Sequence, residues 1–184
     1  MRRDANYDKL GPVIWTAPTV TRIDPPYVAG ERARLDGWLD YQRATLLVKC
    51  AGLTAEQLSQ RPVPTSALSL LGLIRHMAGN ERVWFRLRFA GLDIDDLYCS
   101  AEHPEGEDFD LAQPAVAQDD FATYAAEIAE ARKVVLRRSL DETCGDETHT
   151  VDLRWVYAHM IEEYARHNGQ ADIIRELVDG TTGV

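Results

Sequence analysis

No run of about 18 apolar residues, the length a membrane-crossing helix needs, occurs anywhere in the chain, so no membrane span is expected. Positive charge is in short supply: 20 Lys and Arg stand against 30 Asp and Glu, a formal net charge of -10. Such a surface repels a phosphate backbone and argues against a nucleic-acid partner. Cysteine is sparse too. Cys50, Cys99 and Cys144 form an odd set without CxxC spacing, which reads as incidental thiols in a reduced, cytoplasmic protein. Arg2 and Arg3 are not followed by an apolar segment, so they do not read as a signal peptide. Strand-like alternation and internal repeats are also missing.

What remains is ordinary globular material, 184 residues at 45% hydrophobic and 27% charged. That is enough for one domain with a sizeable core and too little for two of ordinary size. Residues 1–30, with Pro12, Pro18, Pro25 and Pro26, read as an irregular arm that Trp15 and Ile14 could pin to the body. A first helix is expected over 31–51, with Leu35, Trp38, Leu39, Gln42 and Leu46 on one stripe. Thr54 to Gln57 resembles a capping box opening a short helix. Ser69 caps a second long helix running to about 90. It is apolar on two sides, so it is either central in a bundle or half of a subunit contact. An acidic, helix-poor connection over 93–118 holds Asp93, Asp95, Asp96, His103, Glu107, Asp108 and Asp110 without the alternation of a calcium loop. A third helix is expected over 119–140, with Phe121, Tyr124, Ile128, Ala131, Val135 and Leu136 buried. A fourth starts at Thr150 or Asp152 and ends at Gly180. The fold class is therefore all-α: a four-helix bundle over 31–184 with an N-terminal arm and a long acidic loop between helices 2 and 3.

Chemistry gathers on the last helix. Glu163 and His167 are four apart and share a face. On a wheel of about 100° per residue His167 falls inside the apolar arc and Glu163 on its edge, while His159 and Arg166 lie further toward solvent. This pair can supply two ligands to one divalent cation. The competing reading is a hydrogen-bonded core histidine beside a rim carboxylate. On the second helix His76 stands out, flanked by Gly72 and Gly79, which suggest the close approach of another backbone. Arg75, Arg82 and Arg86 make a basic stripe expected to be solvated or paired with acidic loops.

Taken in order, Leu70 to Ala78 around His76, then Glu81 to Phe85, then Glu163-Tyr-Ala-Arg-His167-Asn-Gly-Gln170 resemble the DinB-like (YfiT-like) superfamily of four-helix proteins. The stretches Asp40 to Thr45 and Lys49 to Leu53 are similar to its branch related to mycothiol-dependent S-transferases. The resemblance implies a divalent metal between the second and fourth helices, with His76, Glu163 and His167 as ligands. It favours zinc, with nickel or iron as alternatives, and a low-molecular-weight thiol as cosubstrate. Mycothiol-dependent maleylpyruvate isomerases resemble this chain in using glutamate at the Glu163 position. They add a C-terminal domain, so their isomerase reaction is not carried over. Close relatives often have histidine where Gln170 stands, which leaves no supporting role expected for Gln170. Arg175 is expected on the buried side in an intramolecular salt bridge.

Two imidazoles and a carboxylate leave a tetrahedral cation one open position, the mark of a catalytic site. The expected activity is S-transfer from a thiol to a small electrophilic substrate. A hydrolase using metal-bound hydroxide, ferrous-iron oxygen chemistry, and a non-catalytic, metal-braced binding or regulatory homodimer remain as alternatives. The last would be closed by a fourth protein ligand such as His159 or Asn80.

Overall fold

Gly30 leads into the first helix, α1 (Glu31–Cys50), in a computed structural model that describes residues 14–99, 107–145 and 149–183. His103, Glu102, Glu105 and Asp146 lie outside the described residues. The buried face of α1 is Leu39, Arg43, Leu46 and Cys50. Trp38 is not part of it: 43% exposed, it meets Tyr41 edge to face. Leu39 and Leu46 of the expected stripe are buried, and the inward position beside them is taken by Arg43, whose guanidinium reaches Glu81. Thr54 and Gln57 form the expected reciprocal cap on the short α2 (Ala55–Leu58).

Helix α3 (Leu70–Glu81) starts where the Ser69 hydroxyl accepts from the Gly72 amide at 3.0 Å. It continues without interruption through Arg82–Phe89, but with wider turns: the Ala90 amide reaches back five residues to Phe85 at 3.0 Å. Leu71, Ile74, Ala78, Phe85 and Phe89 are buried, as is Leu73 on the other side. On that other side Val83 and Leu87 are half-buried. Gly72 does admit a neighbour, though a ring and not a backbone: a Cβ there would sit 2.5 Å from Cδ1 of Phe109. Nothing crowds Gly79.

A 3-10 turn (Pro114–Val116) leads into α4 (Ala117–Val135), which buries Phe121, Tyr124, Ile128, Ala131 and Val135. The helix stops five residues earlier than the apolar pattern suggests, and Leu136 is 71% exposed. Arg32 of α1 donates to the Val135 and Arg138 carbonyls at 3.0 and 3.1 Å, adding to the Arg138 amide that the Val135 carbonyl already accepts at 3.1 Å where the helix ends. A small antiparallel hairpin, absent from the sequence reading, follows: β1 (Thr143–Gly145) pairs with β2 (Thr150–Asp152). With three residues per strand it is too short to show alternation.

The long α5 (Leu153–Asp179) begins with the Asp152 carboxylate accepting from the Trp155 amide at 2.7 Å and ends at Gly180, whose φ of 78° is left-handed. Helix α1 packs mainly on α5, and α3 packs on α4 and α5. The mostly helical chain is thus a bundle of the expected all-α class. At its centre Arg43 and Glu81 form a bidentate pair (2.8 and 2.6 Å), and the Tyr164 hydroxyl donates to Glu81 at 2.8 Å. The lead-in segment is tied down by Ala17, whose amide and carbonyl bond Leu53 and Gly52, and by Trp15 against Phe121. Ile14 is left 70% exposed. No helix among the described residues is long and apolar enough to cross a membrane.

Candidate metal centre

The contact between α3 and α5 brings His76 to Glu163 and His167. Each of the three offers a ligand atom, and these atoms all lie within 4.8 Å of one another. The His76 and His167 rings meet edge to face at 4.7 Å, and His167 Nε2 stands 3.4 Å from Glu163 Oε2. His167 is 9% exposed and the Glu163 side chain 13%, so the wheel placed both correctly, at the buried face and its edge. His159 is half-buried and Arg166 exposed, also as the wheel suggested.

The far nitrogen of each ring is committed elsewhere. Asp108 Oδ2 accepts from His76 Nδ1 at 2.7 Å, and Gln170 Oε1 accepts from His167 Nδ1 at 2.8 Å. An acceptor at Nδ1 fixes the proton there and leaves Nε2 as a lone pair. Gln170 therefore does support the site, contrary to the sequence expectation. Burial, aided by the neighbouring His76, holds the His167 pKa below its ordinary value, although Gln170 and Glu163 pull upward. The ring is accordingly neutral near pH 7. Its Nε2 then faces Glu163 Oε2, while the other Glu163 oxygen stands 3.4 Å from the Arg166 guanidinium, and the imidazole and carboxylate together can take up a cation. Zinc bonds of about 2.0–2.2 Å place tetrahedral ligands roughly 3.4 Å apart, a spacing the Glu163–His167 pair already has. The donor set thus fits a divalent metal.

Asp108 comes from the acidic connection, and its position depends on Arg75. That arginine donates to the Asp108 and Glu107 carbonyls at 2.8 and 3.2 Å while pairing with Asp120 of α4 at 2.9 Å. Burial would raise the Asp108 pKa, but the hydrogen bonds from His76 and the Phe109 amide hold it below the usual carboxylate value. The connection's only sequence signal was its density of acids, which did not distinguish Asp108 from its neighbours. Phe109 beside it lies against the His76 ring at 5.4 Å.

The rest of the basic stripe is also paired: Arg82 and Arg86 both hold Glu127 of α4, at 2.6 and 2.8 Å, and Arg82 donates as well to the Asp95 carbonyl of the acidic connection at 2.9 Å. Arg175 has the expected salt bridge, to Asp179 at 2.8 Å, and donates as well to the Lys49 and Ala51 carbonyls. Of the two proposed fourth ligands, Asn80 is the nearer to His76, its amide nitrogen 3.0 Å from Nε2. A cation taking that lone pair would replace this hydrogen bond. His159 groups instead with Glu162 and Glu163.

A family model described as mycothiol-S-transferase matches residues 34–180. A search of curated proteins returned no match. Among solved structures, the crystal structure of a conserved protein from Enterococcus faecalis superposes with a TM-score of 0.61, over 84% of this chain and 100% of that one, at 20% identity. At that identity the likeness concerns the fold.

Proposed function

Since the chain belongs to the mycothiol S-transferase family, we propose that it transfers a low-molecular-weight thiol onto a small electrophile at a divalent metal held by His76, Glu163 and His167. The observation that carries the proposal is the approach of a ring nitrogen of His76, a ring nitrogen of His167 and a Glu163 carboxylate oxygen to within 4.8 Å of one another between α3 and α5. A bound divalent cation, zinc by preference for this donor set, would lower the pKa of a coordinated thiol and so supply a thiolate near neutral pH.

The chain's own residues make that possible. Asp108 and Gln170 hold the Nδ1 protons and so keep both Nε2 atoms available. One carboxylate and two neutral imidazoles leave a cation at a net charge of +1, which favours an anionic sulfur as fourth ligand. Arg75 fixes the loop that carries Asp108. In the overall reaction a carbon–sulfur bond forms, the leaving group departs or a double bond is saturated, and the thiol proton passes to solvent or to the adduct.

The test is elemental analysis of purified protein, followed by assay with zinc, mycothiol and a panel of electrophiles such as 1-chloro-2,4-dinitrobenzene. About one metal per chain, thiol-dependent conjugation, and the loss of both in His76→Ala are expected. Metal binding without conjugation of any electrophile would refute the transferase reading. Turnover that needs no thiol would point to hydrolysis.

A further inference from the structure

The seam between α3 and α5 continues past Glu163. Along α5, Trp155, His159, Glu163 and His167 recur every four residues, and His76, Asn80, Trp84 and Arg88 do the same along α3 and its continuation. The two rows run antiparallel and touch. Next to the His76–His167 contact, a His159 nitrogen lies within 4.8 Å of the Glu163 carboxylate. The Trp84 ring is 4.4 Å from His159 and 5.2 Å from Trp155, and Trp155 lies parallel to His159 at 5.0 Å. Beyond these rings a cavity of about 590 Å³ opens between Trp84, Arg88, Trp155 and Val151 of β2. That volume is in the range of small-molecule sites.

Two features of this cavity ask for a ligand. Trp155 is 44% exposed although it sits in an aromatic stack. Arg88 lies over the Trp84 ring at 4.5 Å, and among the described residues no carboxylate pairs with it. Its neighbours Arg82 and Arg86 are both claimed by Glu127, whereas the exposed Arg88 guanidinium stays open to a ligand on the cavity side. A guanidinium stacked on a ring still presents its N–H edge, which suits bidentate binding of a carboxylate.

The geometry points to this cavity as the binding site of the electrophilic acceptor, and to a flat, apolar carboxylate as the acceptor's class. The planar body lies against Trp84 and Trp155, the carboxylate meets Arg88, and the reactive end extends toward Glu163. Glu163 lies eight positions along α5 from Trp155, about 12 Å, so a two-ring body fills the Trp84–Trp155 end and the reactive group projects from it toward Glu163. The acceptor role rests on the transferase reading; the binding itself does not.

The test uses 2-naphthoate and its uncharged counterpart 2-naphthalenemethanol, titrated into metal-free protein and followed by tryptophan fluorescence and calorimetry. Naphthoate is expected to quench the tryptophans and to bind at least tenfold more tightly than the alcohol. Arg88→Gln should abolish that preference, and Trp155→Ala should weaken both ligands, with circular dichroism confirming that each variant is folded. His76→Ala should bind naphthoate as the unaltered protein does, which separates this result from the fate of the metal reading. Equal binding of the two compounds, or a preference that survives Arg88→Gln, overturns the assignment.

Discussion

Glu127 holds two arginines with one carboxylate, and its side chain is only 4% exposed. Burial alone would raise its pKa, but the hydrogen bonds and charges of Arg82 and Arg86 more than offset that and bring it below the ordinary 4.5. A carboxylate whose pKa is depressed on folding stabilises the fold above its unfolded value, and the stabilisation is lost as pH falls through the folded value. Thermal melts between pH 7 and pH 3 should therefore show a loss of stability beginning near pH 4.5. In Glu127→Gln the same scan should start from a lower melting temperature and fall less steeply through that window. An unchanged slope would assign the acid sensitivity to other carboxylates. The stripe of arginines was visible in the sequence; its partner on α4 was not, because nothing in a linear pattern says which helix will face which.

Helix α5 depends on its ends. Asp152 supplies the first-turn amide with an acceptor, and Gly180 releases the last turn in a left-handed conformation. Replacing an N-cap aspartate with alanine costs about 1 kcal/mol, so Asp152→Ala should unfold at a measurably lower denaturant concentration. The metal-binding face begins 11 residues further on, roughly 16 Å along the axis, so zinc affinity measured by competition with a chelator should not change. A parallel loss of affinity would mean that fraying travels down the helix. Caps such as Thr54, Ser69 and Asp152 are legible in sequence because their chemistry is local. The end of α4 was not, since the carbonyls there also bond Arg32 from another helix, a contact no local pattern announces.

At the scale of the whole molecule, the pair Arg43–Glu81 joins α1 to α3, and Tyr164 adds α5. Burial opposes the Arg43 charge, but Glu81 outweighs it and the guanidinium is held protonated. Breaking a buried pair from one side costs about 3–5 kcal/mol, whereas replacing both members with apolar residues of similar volume is often neutral. Glu81→Leu alone should accordingly be severely destabilised in chemical denaturation, and adding Arg43→Met should restore much of the loss. Additive effects in the double variant would show that the pair does not act as a unit. Glu163 precedes Tyr164 in the chain, so this central lock also helps to fix the helix that carries the candidate ligands.

Periodicity, caps and residue type were enough to determine an all-α bundle and to place Glu163 and His167 together on the inner edge of its last helix, because both properties repeat over a few residues of one helix. Resemblance to a family made His76, already singled out between its two glycines, the third expected ligand. What only the tertiary structure decided was everything that depends on one segment meeting another, namely Asp108 against His76, Glu127 between two arginines and the aromatic seam ending at Arg88, together with the turn of Gln170 back onto His167 within α5. Those contacts join positions from different elements, or depend on which of several equivalent side chains turns inward, and helix packing settles that only once the chain is folded.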